Sequence, residues 1–245
     1  APDAGWSAGG HSLVQVVTDD MPFIVDSLTM ELSRQDRDVR LVIHPQMDVV
    51  RDITGELKSV SGVADGSVAP PQGAIRESWM QVEVSRITDG ADATALEEAL
   101  QRGLGDVRVA VEDWPKMNAQ ALEIVNELGA EPPPLPGLEV AQGQDLLRWL
   151  SDDHFTFLGY REYRLETEGD DEVLRAMPGT GLGILRFDQD MSASFGKLPA
   201  AVRARARDKT LLVLAKANSR ATVHRPAYLD YVGITNRVID TPPDG

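Results

Sequence analysis

Apolar positions fall into short runs whose period changes along the chain, and each change marks an element. Leu13, Val14, Val16 and Val17 form an extended run that stops at Asp19-Asp20. Pro22 sits where a helix would begin, and Ile24, Val25, Leu28 and Leu32 then recur at helical spacing. The pattern predicts strand, tight polar turn and amphipathic helix. A second apolar run, Val39 to Val50, returns after a few polar residues, so two strands flank one helix in the βαβ manner. Leu41, Val42 and Ile43 make its first part apolar on both faces, which predicts burial at that end. Pro45 lacks a ladder donor and predicts an edge position or a bulge. Thr54-Gly55 predicts a hairpin turn returning through Leu57 and Val60, and the Gly, Ala, Ser and Pro of residues 61–73 predict a mobile loop.

From Ser78 to Ile87 the period is two, with Met80, Val82 and Val84 on one side and Gln81, Glu83 and Ser85 on the other. From Asp92, Leu96, Leu100, Leu104, Val107, Val111 and Trp114 recur at three and four residues, a helical stripe that Gly103 and Gly105 weaken. A strand through Val107, Val109 and Val111 is the rival reading of that stretch. Pro115 permits a new start, and Leu122, Val125 and Leu128 continue helically to a stop at Gly129. The order strand, helix, three strands, helix approximates a ferredoxin-like α/β sandwich over residues 1–130.

Residues 131–137, Glu-Pro-Pro-Pro-Leu-Pro-Gly, read as a stiff Pro-rich linker and a domain boundary. Beyond it, Leu146, Leu147, Trp149 and Leu150 predict a short helix, and Phe155 to Leu165 a strand. Residues 168–171 predict a hairpin turn with Val173 to Met177 as the return. The loop Pro178 to Gly183 runs into Ile184 to Phe187, another extended run. Pro199 to Asp208 predicts a short Ala/Arg helix, Leu211 to Ala217 a buried strand, and Tyr228 to Ile234 a further strand. Residues 138–245 thus read as an antiparallel α+β module, and the whole chain as α+β in two modules.

Composition narrows the function classes. The chain has 245 residues and a formal net charge of −15, which opposes nucleic acid and anionic membrane surfaces as partners. Cysteine is absent, so there are no disulfides or thiolate metal sites, which suits a cytoplasmic protein. No apolar stretch approaches the roughly 20 residues that span a bilayer. Ala1 at the start and Pro242-Pro243-Asp244-Gly245 at the end suggest a piece of something longer.

Few residues suggest chemistry. Asp19 and Asp20 could hold the amino group of an amino-acid effector, with amides near Phe23 and Ile24 receiving its carboxylate; capping of the helix is the competing role. Asp152, Asp153 and His154 resemble a site by residue type, yet adjacent residues share no face and no second set completes a metal shell; a helix end with its cation near the last carbonyls explains them. Gly179, Gly181 and Gly183 lack the strand, helix and distant acid of a nucleotide loop and read as a Gly-dependent turn. His44-Pro45, Arg220, His224 and Arg225 lie near strands, where solvated or partner-facing positions are expected, and Arg220 with Arg225 could take an anion. No triad has local support, so no catalytic residue, metal ligand or cofactor site is assigned.

Val16-Val17-Thr18-Asp19-Asp20-Met21-Pro22-Phe23-Ile24-Val25-Asp26-Ser27 resembles the first strand, turn and helix of an ACT domain. The usual ACT turn has an acid, a Pro and then a Gly; Phe23 stands where that Gly would be. The resemblance implies an effector position covered by a ring, with pairing between ACT-type modules as the rival use. Residues 145–163, then Pro178-Gly179-Thr180-Gly181-Leu182-Gly183, then Lys216 to Arg225 resemble the N-terminal region of the large bacterial NAD-specific glutamate dehydrogenases. That resemblance implies an ACT-like domain followed by a PAS-like module, together a non-catalytic regulatory or assembly segment. NAD and the oxidative deamination of L-glutamate to 2-oxoglutarate would belong to the parent enzyme, a cytoplasmic homo-oligomer. The implied partners are the rest of the parent chain and other subunits. A free-standing amino-acid sensor or interaction module is the alternative.

Overall fold

The computed structural model of the chain describes residues 9–64, 66–168, 171–187 and 210–235. By compactness it divides into two units, Ala1–Val107 with Thr222–Arg225, and Arg108–Ala221 with Pro226–Gly245. Both are built from helices and antiparallel strands, the α+β class that the sequence predicts.

The first unit holds β1 (Ser12–Asp19), α1 (Ile24–Arg34), β2 (Val39–Ile43), β3 (Gln46–Arg51), β4 (Leu57–Val63) and β5 (Ile75–Val84). β5 is the hub of the sheet. β1 lies antiparallel along one of its edges, from Ser12 opposite Val84 to Asp19 opposite Glu77. β2 and β3 share its other edge, with Ile43 opposite Gln81 and Gln46 opposite Ser78, and β4 pairs with β3. β1 and β2 therefore run parallel, linked by α1 as the apolar pattern predicts, and the gap between them is filled by a strand from later in the chain.

Two periods meet in this unit's core. Ile24, Leu28 and Leu32, spaced by four, form the buried stripe of α1, and Met80, Val82 and Val84, spaced by two, form the buried face of β5. Burying each such side chain contributes about 1.5–3 kcal/mol. The predicted burial at the start of the second run is reversed. Leu41 and Ile43 are exposed by 48% and 45%, while Val49 is fully buried. The register explains it, because Leu41 and Ile43 lie opposite Glu83 and Gln81 and so share the polar side of β5. Pro45 splits the run into β2 and β3, its carbonyl still accepting the Trp79 N–H at 3.0 Å. The Thr54-Gly55 turn forms as predicted, with Gly55 at φ 84° and its N–H donating to the Asp52 carbonyl.

α2 runs from Gly90 to Ala130 without interruption. The predicted new start at Pro115 is not made, and the rival strand at Val107 to Val111 does not form. Proline removes one backbone donor at a cost of about 3 kcal/mol, but Ala110, Met117, Ala121 and Val125 keep one buried stripe through it.

The rest of the second unit comprises α3 (Gly137–Trp149), a π turn (Leu150–His154), β6 (Gly159–Tyr160), β7 (Tyr163–Glu168), β8 (Asp171–Ala176), β9 (Leu182–Gly183), β10 (Leu212–Arg220) and β11 (Tyr228–Ile234). Among the described residues β6 pairs with β9, β7 with β8 and β10 with β11, all antiparallel. Val125 and Leu128 of α2 pack with Val140 and Leu147 of α3, Leu150 and Leu211. Gly143 lies against this cluster: a Cβ on it would come 2.3 Å from Leu211 Cδ2, so the Leu211 side chain would have to shift.

In the Pro-rich stretch the Leu135 N–H donates to the Pro133 carbonyl at 2.7 Å. Three expectations for this half change. Phe155 to Leu165 is two short strands, β6 and the start of β7. Ile184 to Phe187 is a turn, with i→i+3 bonds from Leu185 to Leu182 and from Arg186 to Gly183. β10 forms where predicted but is largely exposed; among the described residues it pairs with β11 alone. The predicted helix at 199–208 and the turn residues 169 and 170 lie outside the described residues. Among the described residues no helix is long and apolar enough to cross a membrane.

Candidate functional site

β1 ends at Asp19 and α1 starts at Ile24, so the polar turn sits between them as predicted. Asp20 N–H continues the ladder to the Arg76 carbonyl at 3.0 Å. Phe23 is the N-cap residue of α1, in the left-handed region at φ 69° and ψ 0°, and no side chain caps the helix. Capping by Asp20, part of the competing role, is not realised, since its carboxylate oxygens are bound within the sheet.

Asp20 faces inward instead. Its Oδ1 accepts the Ser78 hydroxyl proton at 2.6 Å, and its Oδ2 accepts Gln46 Nε2–H at 2.8 Å. Ser78 is fully buried on β5 and lies 2.9 Å from His44 Nε2. The single hydroxyl proton of Ser78 is given to Asp20, so His44 donates to Ser78 through Nε2–H. Gln46 and His44 flank Pro45, and Ser78 has the parity of Met80 and Val82. A strand end, a strand break and the central strand thus converge on one carboxylate.

The four residues singled out at this turn do not converge. Asp20 is held by Ser78 and Gln46; Ile24 is buried in the core; Asp19 is on the exposed side of β1. Phe23 packs its ring on the imidazole of His224, centroids 4.7 Å apart. His224, expected in solvent or against a partner, also donates its N–H to Ser27 Oγ at 3.0 Å. Sequence reasoning missed Ser78, although a serine two residues before Met80 on the apolar side of a period-two strand is the kind of signal that finds a buried polar group. His224 stood out only as a polar residue near a strand, and nothing local marked Gln46.

The outer parts of the sheet carry their own ion pairs. Arg51 Nη2–H donates to Glu77 Oε2 at 2.9 Å; this bond to Arg51, set against burial and helped by Trp79, holds the Glu77 carboxyl below the usual range. Arg76 Nε pairs with Asp48 at 2.9 Å.

In the second unit the Gly-rich loop closes on a buried acid. Gly183 N–H and Arg186 Nε–H both donate to Asp113 Oδ2, at 2.9 and 2.8 Å. Burial pushes the Asp113 carboxyl up, and the bonds from Gly183, Lys116 and Arg186 outweigh it, leaving it below the usual range. Gly183 has φ 58°, and a Cβ on it would lie 2.2 Å from the Leu158 carbonyl oxygen. The loop amide that a phosphate would need is already given to a carboxylate, so the glycines serve the turn. His154 sits at the helix end as expected, with Nδ1 3.0 Å from the Trp149 carbonyl and its ring stacked on Trp149. Arg220 lies over the Tyr228 ring, 5.3 Å from its centroid, and Arg225 is exposed. Among the described residues no group of three or more His, Cys, Asp or Glu is placed to hold a metal ion.

Residues 1–100 match the family model described as glutamate dehydrogenase, ACT1 domain. The chain is 36% identical over 234 residues to the NAD-specific glutamate dehydrogenase of Pseudomonas aeruginosa, covering 94% of this chain. It is 32% identical over 233 residues to that of Halomonas elongata, and 30% identical over 224 residues to that of Mycobacterium tuberculosis. It spans 14%, 14% and 13% of the length of these three relatives. The matched residues include the turn Thr18 to Phe23, whose motif implied an ACT-type domain.

Proposed function

We propose that this chain, opening with an ACT1 domain of the glutamate dehydrogenase type, is a regulatory and assembly segment of an NAD-dependent glutamate dehydrogenase and performs none of that enzyme's chemistry itself. The parent reaction would be oxidative deamination of L-glutamate to 2-oxoglutarate with NAD, in the cytoplasm, with the PAS-like reading kept for residues 138–245. The observation that carries the non-sensing form of this role is the filling of the ACT-type turn by the chain's own groups: Ser78 and Gln46 on Asp20, and His224 on Phe23. With that position filled, the work falls to surfaces. Val17, Leu41 and Ile43 are exposed apolar residues of the sheet, which suits pairing with other subunits or with the rest of the parent chain.

Amino-acid sensing at Asp19, Asp20, Phe23 and Ile24 is the second reading, favoured by the missing side-chain cap at α1, which leaves the helix start without an acceptor from a capping residue. Light scattering separates the two. Concentration-dependent dimers indifferent to added amino acids support assembly; a change in mass with an amino acid supports sensing. NADH formation by this chain alone with L-glutamate and NAD would overturn both.

A further inference from the structure

Among the described residues four non-glycine residues have positive φ: Phe23, Asp36, Asp153 and His224. Two of them, Phe23 at 69° and His224 at 70°, meet ring to ring although they are 201 positions apart in sequence (224 − 23). A left-handed aromatic or imidazole residue is disfavoured sterically, so each persists because its surroundings hold it there.

The surroundings are specific. Thr222–Arg225 belongs to the first unit. Thr222 Oγ1 donates to Asp106 Oδ2 at 2.7 Å, and Val223 is buried at 1% exposure. His224 N–H donates to the buried Ser27 Oγ, and Nδ1 lies 3.3 Å from Asp26 Oδ2. Arg225 N–H turns back to the Val223 carbonyl at 3.0 Å. Four consecutive residues thus anchor on one side at α2 and on the other at the first turn of α1, with the imidazole laid against Phe23.

We propose that Thr222–Arg225 is a strap over the ACT-type turn: it covers that turn through His224 and has to lift before Phe23 and the start of α1 are exposed. The strap rests on reading that turn as the ACT-type site. It is held by a few polar bonds and one buried valine, so it opens locally while the strands beneath stay paired.

The chain contains no cysteine, which makes thiol protection a clean test. S27C places a thiol under the strap, and V82C places one in the core of β5. Labelling of each by a chromogenic disulfide reagent is followed in the 245-residue chain, with and without His224→Ala, which removes the ring and keeps a Cβ at the same backbone position. Losing the ring contact should speed labelling at position 27 by about tenfold and leave position 82 unchanged. Equal labelling of S27C with and without His224→Ala, or equal acceleration at both positions, would overturn the strap. Should S27C fail to fold, amide exchange at His224, whose N–H donates to Ser27 Oγ, and at Val82, with and without Phe23→Ala, reads the same opening by the same criterion. Neither rate depends on an effector or on dehydrogenase activity, so the strap and the assembly role fail separately.

Discussion

Ser78 gives its hydroxyl proton to Asp20 across 2.6 Å, joining the central strand of the sheet to the turn that starts α1. The bond is buried at its serine end, and it leaves His44 as the donor on the other side of the same hydroxyl. Ser78→Ala removes a donor from a carboxylate and an acceptor from an imidazole at once. The expected loss is about 1–3 kcal/mol of unfolding free energy, read as a lower urea midpoint at unchanged slope. A midpoint equal to that of the parent chain would remove the network from any structural role.

Phe23 separates backbone strain from ring packing. Phe23→Ala loses the contact with His224 and keeps a Cβ at φ 69°, whereas Phe23→Gly loses the same contact and relieves the strain. Glycine should therefore be the more stable of the two by about 1 kcal/mol, as thermal denaturation of both variants would read. Alanine equal to glycine would mean that the left-handed conformation is not held in solution.

Asp113 is the corresponding test in the second unit. Asp113→Ala strips partners from Gly183 N–H, Arg186 and Lys116 around a fully buried position, with an expected cost of about 3–5 kcal/mol. Gly183→Ala should disrupt the same loop for another reason, since its Cβ would collide with the Leu158 carbonyl. Retention of native near-ultraviolet dichroism by both variants would contradict the anchoring of this loop.

Acid should destabilise the chain through depressed carboxyls. Burial pushes Glu31 up, but bonds from Arg34 and Gln35 leave it lowered; Glu77 is lowered chiefly by Arg51, and Asp113 by Gly183, Lys116 and Arg186 against burial. A carboxyl whose folded pKa lies below its unfolded one contributes stability that is present above the unfolded value. That stability is lost as pH falls through the folded value. Melting temperatures should thus vary little from pH 7 to about pH 5 and fall below about pH 4, where unfolded carboxyls protonate. Asp113→Asn should flatten that fall, and an unchanged slope would count against Asp113 as a contributor.

Local periods made most of the fold legible. The spacing of Ile24, Leu28 and Leu32 gave α1, the alternation of Met80, Val82 and Val84 gave β5, and Thr54-Gly55 gave its turn. What stayed hidden depended on pairing. Leu41 and Ile43 are as apolar as any core residue, and the register against Gln81 and Glu83 alone puts them outside. Pro115 suggests a break, yet the burial of Ala110, Met117 and Ala121 around it keeps α2 whole. At the turn, Asp20 and Phe23 were legible as a site by motif. Their partners Gln46, Ser78 and His224 come from positions 26, 58 and 201 residues away (from Asp20 to Gln46, from Asp20 to Ser78, from Phe23 to His224), beyond any local pattern.

The most direct test of the filled turn is calorimetric titration of the 245-residue chain with each of the twenty amino acids at millimolar concentration. With Asp20 held by Ser78 and Gln46 and Phe23 covered by His224, no heat beyond dilution is expected. Saturable heat with any amino acid, abolished by Asp20→Ala in a chain that still melts cooperatively, would contradict the account and make the turn a sensor.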